Sequence, residues 1–367
     1  MLRSACNIIS KHCVLDSSQQ RLLEKLELEV GLRTDERLVG LEAETQTKEQ
    51  DPSVQASRPK GFSEFKVIKL IEAAYKIMED EENCVKIYVE DEEDSEVVVV
   101  GDIHGQFHDL ISLFEENAGF PSYHRYFVFS GNYIDRGSWG LEVLLVLLAC
   151  KVMLPDRVYL LRGNHESKDW TLKYGFLAEV CTKFGKKDCK IVYEGFLDCF
   201  KALPLASIIA NSVYTTHGGL FRSACSFNAQ PSKGVKKRKL NTLPLGSMGT
   251  LEELAFVNRF LENVPEYGIL TDVLWSNPSS DSRIKENTDG VCGGIFWGPD
   301  YTETFLRENH LKLIIRSHKG PDARAGQDVS RNILNGYSKD HDVVSGKLFT
   351  LFSAPSYPQV SDSLDVS

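Results

Sequence analysis

The hydrophobic pattern changes period along the chain, and each change marks an element. From Phe62 to Met78 apolar residues recur at helical spacing. Val85 to Val89 then predicts a short strand, flanked by the acidic stretches Glu79 to Glu82 and Glu90 to Glu96, which read as solvated surface. Beyond it the periods alternate. Glu96-Val97-Val98-Val99-Val100 predicts a strand and Gln106 to Glu116 a helix. Tyr126 to Ser130 predicts a strand and Leu141 to Met153 a helix. Val158 to Leu161 predicts a strand, followed by helical sequence to about Ala202. Strands separated by helices imply an α/β domain with a central sheet. Leu205 to Ala210 and Val213 to Thr216 then predict a hairpin turned at Asn211-Ser212, and Leu311 to Ile315 and Lys347 to Phe352 predict later strands. Strand outweighs helix after residue 203, which predicts two sheets packed as a sandwich with helices outside.

The ends of the chain break this pattern. Ser17 to Val30 reads as a partly amphipathic helix, and residues 32 to 60 as a polar linker. The expected organisation is an extension and linker over 1–61, one domain over 62–358 and a tail over 359–367. The domain carries a polar insertion over 223–250. Met1 to Leu15 carries Arg3 and Lys11 and no acid, a weak resemblance to an organelle transit peptide.

Composition narrows the classes. With 42% hydrophobic and 26% charged residues in 367, the chain has enough apolar mass for a sizeable core. A formal charge of -10 argues against nucleic acid as the partner of the whole surface. The longest apolar run, Val143 to Cys150, is bracketed by Glu142 and Lys151 and is too short to span a bilayer, so no membrane partner is expected. The nine cysteines are scattered without a CxxC pair, as in a reduced intracellular protein. Lys236-Lys237-Arg238-Lys239 is a compact basic run in an acidic chain. It reads as a nuclear import signal, giving a nuclear and cytoplasmic expectation, with an organelle as the alternative.

The chemistry sits where strands run out. Val97 to Val100 ends in Gly101-Asp102-Ile103-His104-Gly105. An Asp and a His two apart point the same way from an extended chain and can chelate one metal. Tyr126 to Ser130 ends in Gly131-Asn132-Tyr133-Ile134-Asp135-Arg136-Gly137. Val158 to Leu161 ends in Arg162-Gly163-Asn164-His165-Glu166, where Asn164 can ligate a hard cation and His165 can donate a proton if a carboxylate holds its other nitrogen. Val213 to Thr216 ends in His217-Gly218-Gly219, and Leu311 to Ile315 in Arg316-Ser317-His318. Strand ends along one sheet edge are where α/β enzymes place their sites.

GDIHG, GNYIDRG, LLRGNHE, HGGL, IIRSH and SAPSY, in this order, resemble the motifs of the PPP family of metal-dependent serine/threonine protein phosphatases. The likeness covers roughly residues 62 to 358. Trp297 to Asp300, Arg316 to Arg324 and the basic insertion look most like the plant type-7 phosphatases. The resemblance implies a calcineurin-like metallophosphoesterase β-sandwich flanked by helices, with a binuclear centre. It implies Asp102 and His104 at a first metal, Asn164, His217 and His318 at a second, and position 132 bridging both. It makes His165 the general acid, oriented by Asp135, and Arg136 and Tyr357 the phosphate contacts. Imidazole, amide and carboxylate donors suit Mn, Fe or Zn.

Two departures change the functional expectation. Position 132 is Asn where the family has Asp. Two +2 charges about 3.5 Å apart repel by roughly 19 kcal/mol at an effective dielectric of about 20, and a neutral amide offsets little of that. The family's second phosphate arginine has no counterpart, because Asp289 or Val291 takes its place and no arginine lies between Arg283 and Arg307. The expectation is a phosphatase homologue that is inactive or strongly impaired and acts by binding a phosphoprotein or another protein. The alternative is an active but weak metal-dependent Ser/Thr phosphatase.

Overall fold

The computed structural model describes residues 64–90, 95–226, 247–287, 293–321, 333 and 335–357. The N-terminal extension, the middle of the insertion with its basic run, Asp289, Val291 and the tail lie outside these residues. Helix α1 (Glu64–Glu79) leads into β1 (Cys84–Ile87) and β2 (Glu96–Val100). Next come α2 (Phe107–Ser112), continued by a π-turn over Leu113–Asn117, then β3 (Arg125–Phe129), α3 (Gly140–Met153) and β4 (Val158–Leu160). Helices α4 (Lys168–Tyr174) and α5 (Phe176–Ala202) precede the hairpin β5 (Ala206–Ile209) and β6 (Val213–Thr216). The later half holds α6 (Leu251–Ala255), α7 (Ile269–Trp275), β7 (Asn277–Pro278), β8 (Lys285–Glu286) and β9 (Ile295–Trp297). It closes with α8 (Pro299–Glu308), β10 (Leu313–Arg316), β11 (Tyr337–Val343) and β12 (Gly346–Leu351).

Among the described residues two sheets form the expected sandwich. One is parallel, in the order β2-β3-β4; the other is mixed, in the order β1-β5-β6-β10-β12-β11. Strand β3 explains the layering. Tyr126 and Val128 join Ile87, Leu161 and Ile209 between the sheets. Phe127 and Phe129 point the other way, into a core with Leu70 of α1, Leu144 of α3 and Phe196 of α5. A strand covered on both faces needs apolar residues at every position, which is why it reads as a continuous run. The six-stranded sheet is covered on its outer side, where Tyr214 and Ile314 pack with Leu274, Trp297 and Phe305.

The apolar run Val143 to Cys150 is the middle of α3, which is buried along its whole length. Among the described residues no helix is long and apolar enough to cross a membrane. The hairpin turn takes in Ala210 as well as the expected Asn211 and Ser212, with Ala210 (φ 46°) and Asn211 (φ 51°) in the left-handed conformation. The insertion leaves and returns at one point, because Ser223 N–H donates to the Ser247 carbonyl at 2.9 Å and Arg222 bridges Met248. The described cysteines are free thiols.

Between α3 and α5, Lys183 is buried and donates to Glu142 at 2.5 Å, Glu179 at 2.7 Å and the Ser138 carbonyl at 3.1 Å. Burial pushes the Glu179 carboxyl up to about 7 against the lowering effect of Lys183. Removing the shared cation strands two carboxylates in low dielectric. Lys183→Ala is therefore expected to lose about 3–5 kcal/mol of stability in urea unfolding. A change of only about 0.5 kcal/mol, typical of a surface substitution, would count against the pairing.

Candidate metal centre

Glu166 builds the centre although it ligates nothing. Its carboxylate is buried and accepts the backbone N–H groups of Asn132 (2.8 Å), Tyr133 (2.9 Å) and Gly163 (2.9 Å). That ties the turn after β3 to the turn after β4. The turns approach so closely that a Cβ on Gly131 would lie 2.3 Å from the Gly163 nitrogen. From behind, the buried Arg162 donates to the carbonyls of Glu166, Arg259 and Leu261 at 2.7–3.0 Å. Asn132, Asn164 and His165 thereby project from one place.

Asp102 and His104 converge, with Asp102 Oδ2 3.3 Å from His104 Nε2. They do so by a turn rather than by strand alternation, which corrects the sequence reading. His104 has φ 47°, and its N–H and that of Ile103 both donate to the Asn132 carbonyl. The second sheet contributes from β6 and β10, whose parallel register sets Ile315 beside Thr215. His217 and His318 follow those strands, with ring centroids 5.1 Å apart. All six residues expected at the metals are thus gathered in one buried cluster.

The proton positions test whether a cation fits. His217 Nδ1 lies 2.8 Å from the Ser130 carbonyl, and His104 Nδ1 lies 2.9 Å from the Ile134 carbonyl. A carbonyl only accepts, so each Nδ1 carries a proton. The Nε2 of a neutral His217 ring then presents a lone pair. Burial would lower the His104 imidazole, but the Asp102 carboxylate beside its Nε2 holds it raised. Burial, ahead of the raising effect of Asp102, pushes His217 down to about 4, so its ring is neutral. Its Nε2 then faces the Asn164 Oδ1 at 2.8 Å, two acceptors in contact. His318 Nδ1 is buried without a hydrogen-bond partner, and burial pushes its imidazole well down. Opposed lone pairs and an orphaned imidazole nitrogen are what a divalent cation would satisfy, with the carbonyl contacts orienting the rings. Among the described residues no three His, Cys, Asp or Glu side chains group to hold a cation by themselves, so a metal here also draws on the amides.

Asn132 behaves differently. Its Oδ1 accepts the His165 N–H at 3.1 Å, and its Nδ2 donates to Asp102 Oδ2 at 3.0 Å. One neighbour only donates and the other only accepts, so the amide orientation is fixed. Asp102 further accepts from the Ser317 hydroxyl and from the His318 N–H at 3.1 Å. Burial would raise its carboxyl, but the His104 and Ser317 contacts and the nearby imidazoles hold it well below the usual range.

His165 Nδ1 and Asp135 Oδ2 are 2.7 Å apart, and Asp135 Oδ1 accepts the Phe176 N–H at 3.1 Å. Burial pushes Asp135 up to about 7 and His165 well down. Arg136 is exposed at the rim, in the left-handed conformation (φ 70°), with its guanidinium 4.1 Å from the centre of the Tyr174 ring. The Tyr357 ring lies 5.2 Å from His104. The sequence placed Glu166 in the Asn-His-Glu turn but gave it no role of its own, and it did not point to Ser317 or to the aromatic wall of Trp170, Tyr174 and Trp275 beside His165 and His318. Ser317 stood inside the IIRSH motif, and that adjacency was its only signal.

The calcineurin-like phosphoesterase family matches residues 95–321. The chain belongs to that family. Among relatives it is 53% identical over 300 residues to serine/threonine-protein phosphatase 7 of Arabidopsis thaliana, covering 79% of this chain and 71% of that one. It is 48% identical to the long-form homolog from the same plant, of which it spans only 22%. A solved Saccharomyces cerevisiae serine/threonine phosphatase with similarity to human PP5 superimposes with a TM-score of 0.65 at 30% identity, covering 81% of this chain and 79% of that one. These matches carry the PPP-type serine/threonine phosphatase fold to this calcineurin-like chain, and divalent metals belong to the family.

The clamp gives a prediction. Glu166→Gln keeps the shape but turns an N–H2 toward at least one of three buried N–H groups. It is expected to cost about 1–3 kcal/mol in urea unfolding. Unchanged stability would mean that the turns are held by other contacts.

Proposed function

We propose that this chain is a serine/threonine phosphatase homologue that binds phosphorylated protein and hydrolyses it poorly or not at all. The observation that carries this reading is the Asn132 amide. Its oxygen is taken by a backbone N–H and its nitrogen presents hydrogen to Asp102, so the bridging position offers a cation neither charge nor a free lone pair directed at Asp102. The absence of any arginine between Arg283 and Arg307 supports the same reading, since half of the phosphate clamp has no source.

By their donor types, Asp102, His104, Asn164, His217 and His318 would hold Mn, Fe or Zn. Bound metals would supply a Lewis acid for the phosphate and an acidified water. Arg136 at the rim would grip a phosphate oxygen. Asp135 would orient His165 toward the leaving oxygen. The weak-enzyme reading keeps one argument in its favour, because the His165–Asp135 pair and the orphaned His318 Nδ1 are in place. We further propose a nuclear and cytoplasmic location, from Lys236-Lys237-Arg238-Lys239.

Purified protein is expected to hold fewer than two equivalents of transition metal after dialysis, and Asn132→Asp to raise that content. On a phosphothreonine peptide with excess Mn²⁺, Asn132→Asp with Asp289→Arg or Val291→Arg should exceed the single variant in kcat/KM by at least about a hundredfold. Two tightly held metals and ordinary turnover in wild type would overturn the impaired reading. A single variant equal to the doubles would overturn only the arginine argument.

Alanine at Lys236, Lys237, Arg238 and Lys239 together should abolish nuclear accumulation of a fluorescent fusion. Unchanged nuclear signal would refute that assignment, and plastid or mitochondrial import would favour the N-terminal leader.

A further inference from the structure

Two cations stand beside the centre without an acid to neutralise them. Arg136 and Lys173 are exposed, and among the described residues neither forms an ion pair. Lys168, one turn earlier on α4, is by contrast held by Glu262 at 2.8 Å. In a chain of formal charge -10, two unpaired positive charges at one place are a local exception.

Aromatic rings hold both cations. The Trp170 and Tyr174 rings are stacked, with centroids 5.1 Å apart and planes 5° from parallel. Trp170 is buried and Tyr174 half-buried, so the stack is anchored from behind. The Lys173 Nζ lies 5.0 Å from the centre of the Trp170 ring and 5.1 Å from that of Tyr174. The Arg136 guanidinium carbon lies 4.1 Å from the centre of the same Tyr174 ring. The His165 ring adjoins the stack, 5.8 Å from Trp170 and 5.2 Å from Tyr174. A ring quadrupole attracts a cation without cancelling its charge. One tyrosine therefore carries two positive charges on the flank of the histidine expected to serve the leaving oxygen. Lys173 also has a plain structural use. It stands in the last turn of α4, which ends at Gly175 (φ 114°), and a cation there meets the negative end of the helix. That use does not account for an ammonium lying over two rings that border His165.

Distance links the two cations to one ligand. An extended peptide advances about 3.3–3.6 Å per residue. A phosphoryl group gripped by Arg136 would leave carboxylates within about three residues of it in reach of a second cation on the same ring. We infer that Lys173 selects phosphorylated segments that carry Asp or Glu close to the phosphorylated residue. The inference rests on the proposed binding of phosphorylated protein and names the class of segment bound. Arg136 would take the phosphate and Lys173 the neighbouring carboxylate, so that charge on the segment sets the choice of partner.

The probes are fluorescein-labelled phosphothreonine peptides with two Glu, or two Lys, on each side of the phosphothreonine, and the Glu peptide without its phosphate. Binding to the full-length protein is read by anisotropy with excess Mn²⁺ at low salt. Where a peptide is hydrolysed, the ratio of kcat/KM replaces the ratio of affinities. Wild type is expected to favour the acidic phosphopeptide over the basic one by at least about fivefold. Lys173→Arg should keep that order and Lys173→Glu should invert it. Lys173→Gln should remove most of the preference, a readout that stands even if Lys173→Glu fails to fold. Equal affinity of wild type for the two phosphopeptides overturns the inference and leaves the proposed function standing. A preference that survives both Lys173→Glu and Lys173→Gln also overturns it. So does an equal loss on both phosphopeptides, which would make Lys173 a contact of the phosphate or of the fold. Equally tight binding of the unphosphorylated acidic peptide would reduce the effect to bulk charge and overturn it too. Wild type that binds neither phosphopeptide overturns the proposed function, and this inference with it.

Discussion

The centre depends on one buried carboxylate that touches no ligand position through its own chemistry. Glu166 gathers three N–H groups from two turns, and each of those turns carries an expected metal or acid residue. The arrangement works only because the turns can touch. A Cβ on Gly163 would fall 2.4 Å from the Asn132 nitrogen, so any larger residue would hold the clamp open. A surface carboxylate would gain little from such contacts, but in low dielectric each charge-assisted bond is strong and each missing one is costly.

The sandwich then explains why five separate strand ends meet. In the smaller sheet β2, β3 and β4 run parallel, so their C-terminal ends lie side by side. In the larger sheet β6 and β10 are parallel neighbours, which brings His217 and His318 together. Packing through Tyr126, Val128 and Ile209 holds the two edges face to face. The fold thus supplies the convergence, and the turns supply the side-chain directions. Three of those turns use left-handed backbone at non-glycine residues, among them His104, Asn132, Asp135 and His318, a conformation that surrounding contacts must hold in place.

Elements whose periodicity follows from burial were legible in the sequence. β2, β3, α3 and β4 came within a residue or two of their bounds because both faces of each are covered. Elements that break that rule were not. β11 reads Tyr-Ser-Lys-Asp-His-Asp-Val, and its buried positions are Ser338 and His341, so no apolar alternation announces it. β7 and β8 are two residues each, too short to show a period. At the site, strand ends and motifs were legible. The roles of Glu166 and Lys183 were not, because the N–H groups and carboxylates that they hold include ones from distant segments that the local sequence does not bring beside them. Asp102 and His104 were rightly paired for the wrong geometric reason, since the sequence pattern does not reveal the positive φ at His104.

Asn132 connects the fold to the chemistry. Two carboxylates at positions 102 and 132 would stand with oxygens near the 3.0 Å that now separates the Asn132 nitrogen from Asp102 Oδ2. Like charges at that distance need something positive between them. The amide supplies hydrogen in place of a cation, so this half of the cluster is satisfied by the protein alone. The other half is not satisfied, because the His217 and Asn164 lone pairs oppose each other and His318 Nδ1 has no partner. The unsatisfied atoms thus lie on the side of Asn164, His217 and His318, away from the Asn132–Asp102 contact. The same turns that shape the cluster therefore also decide which of its polar atoms are satisfied by the protein itself.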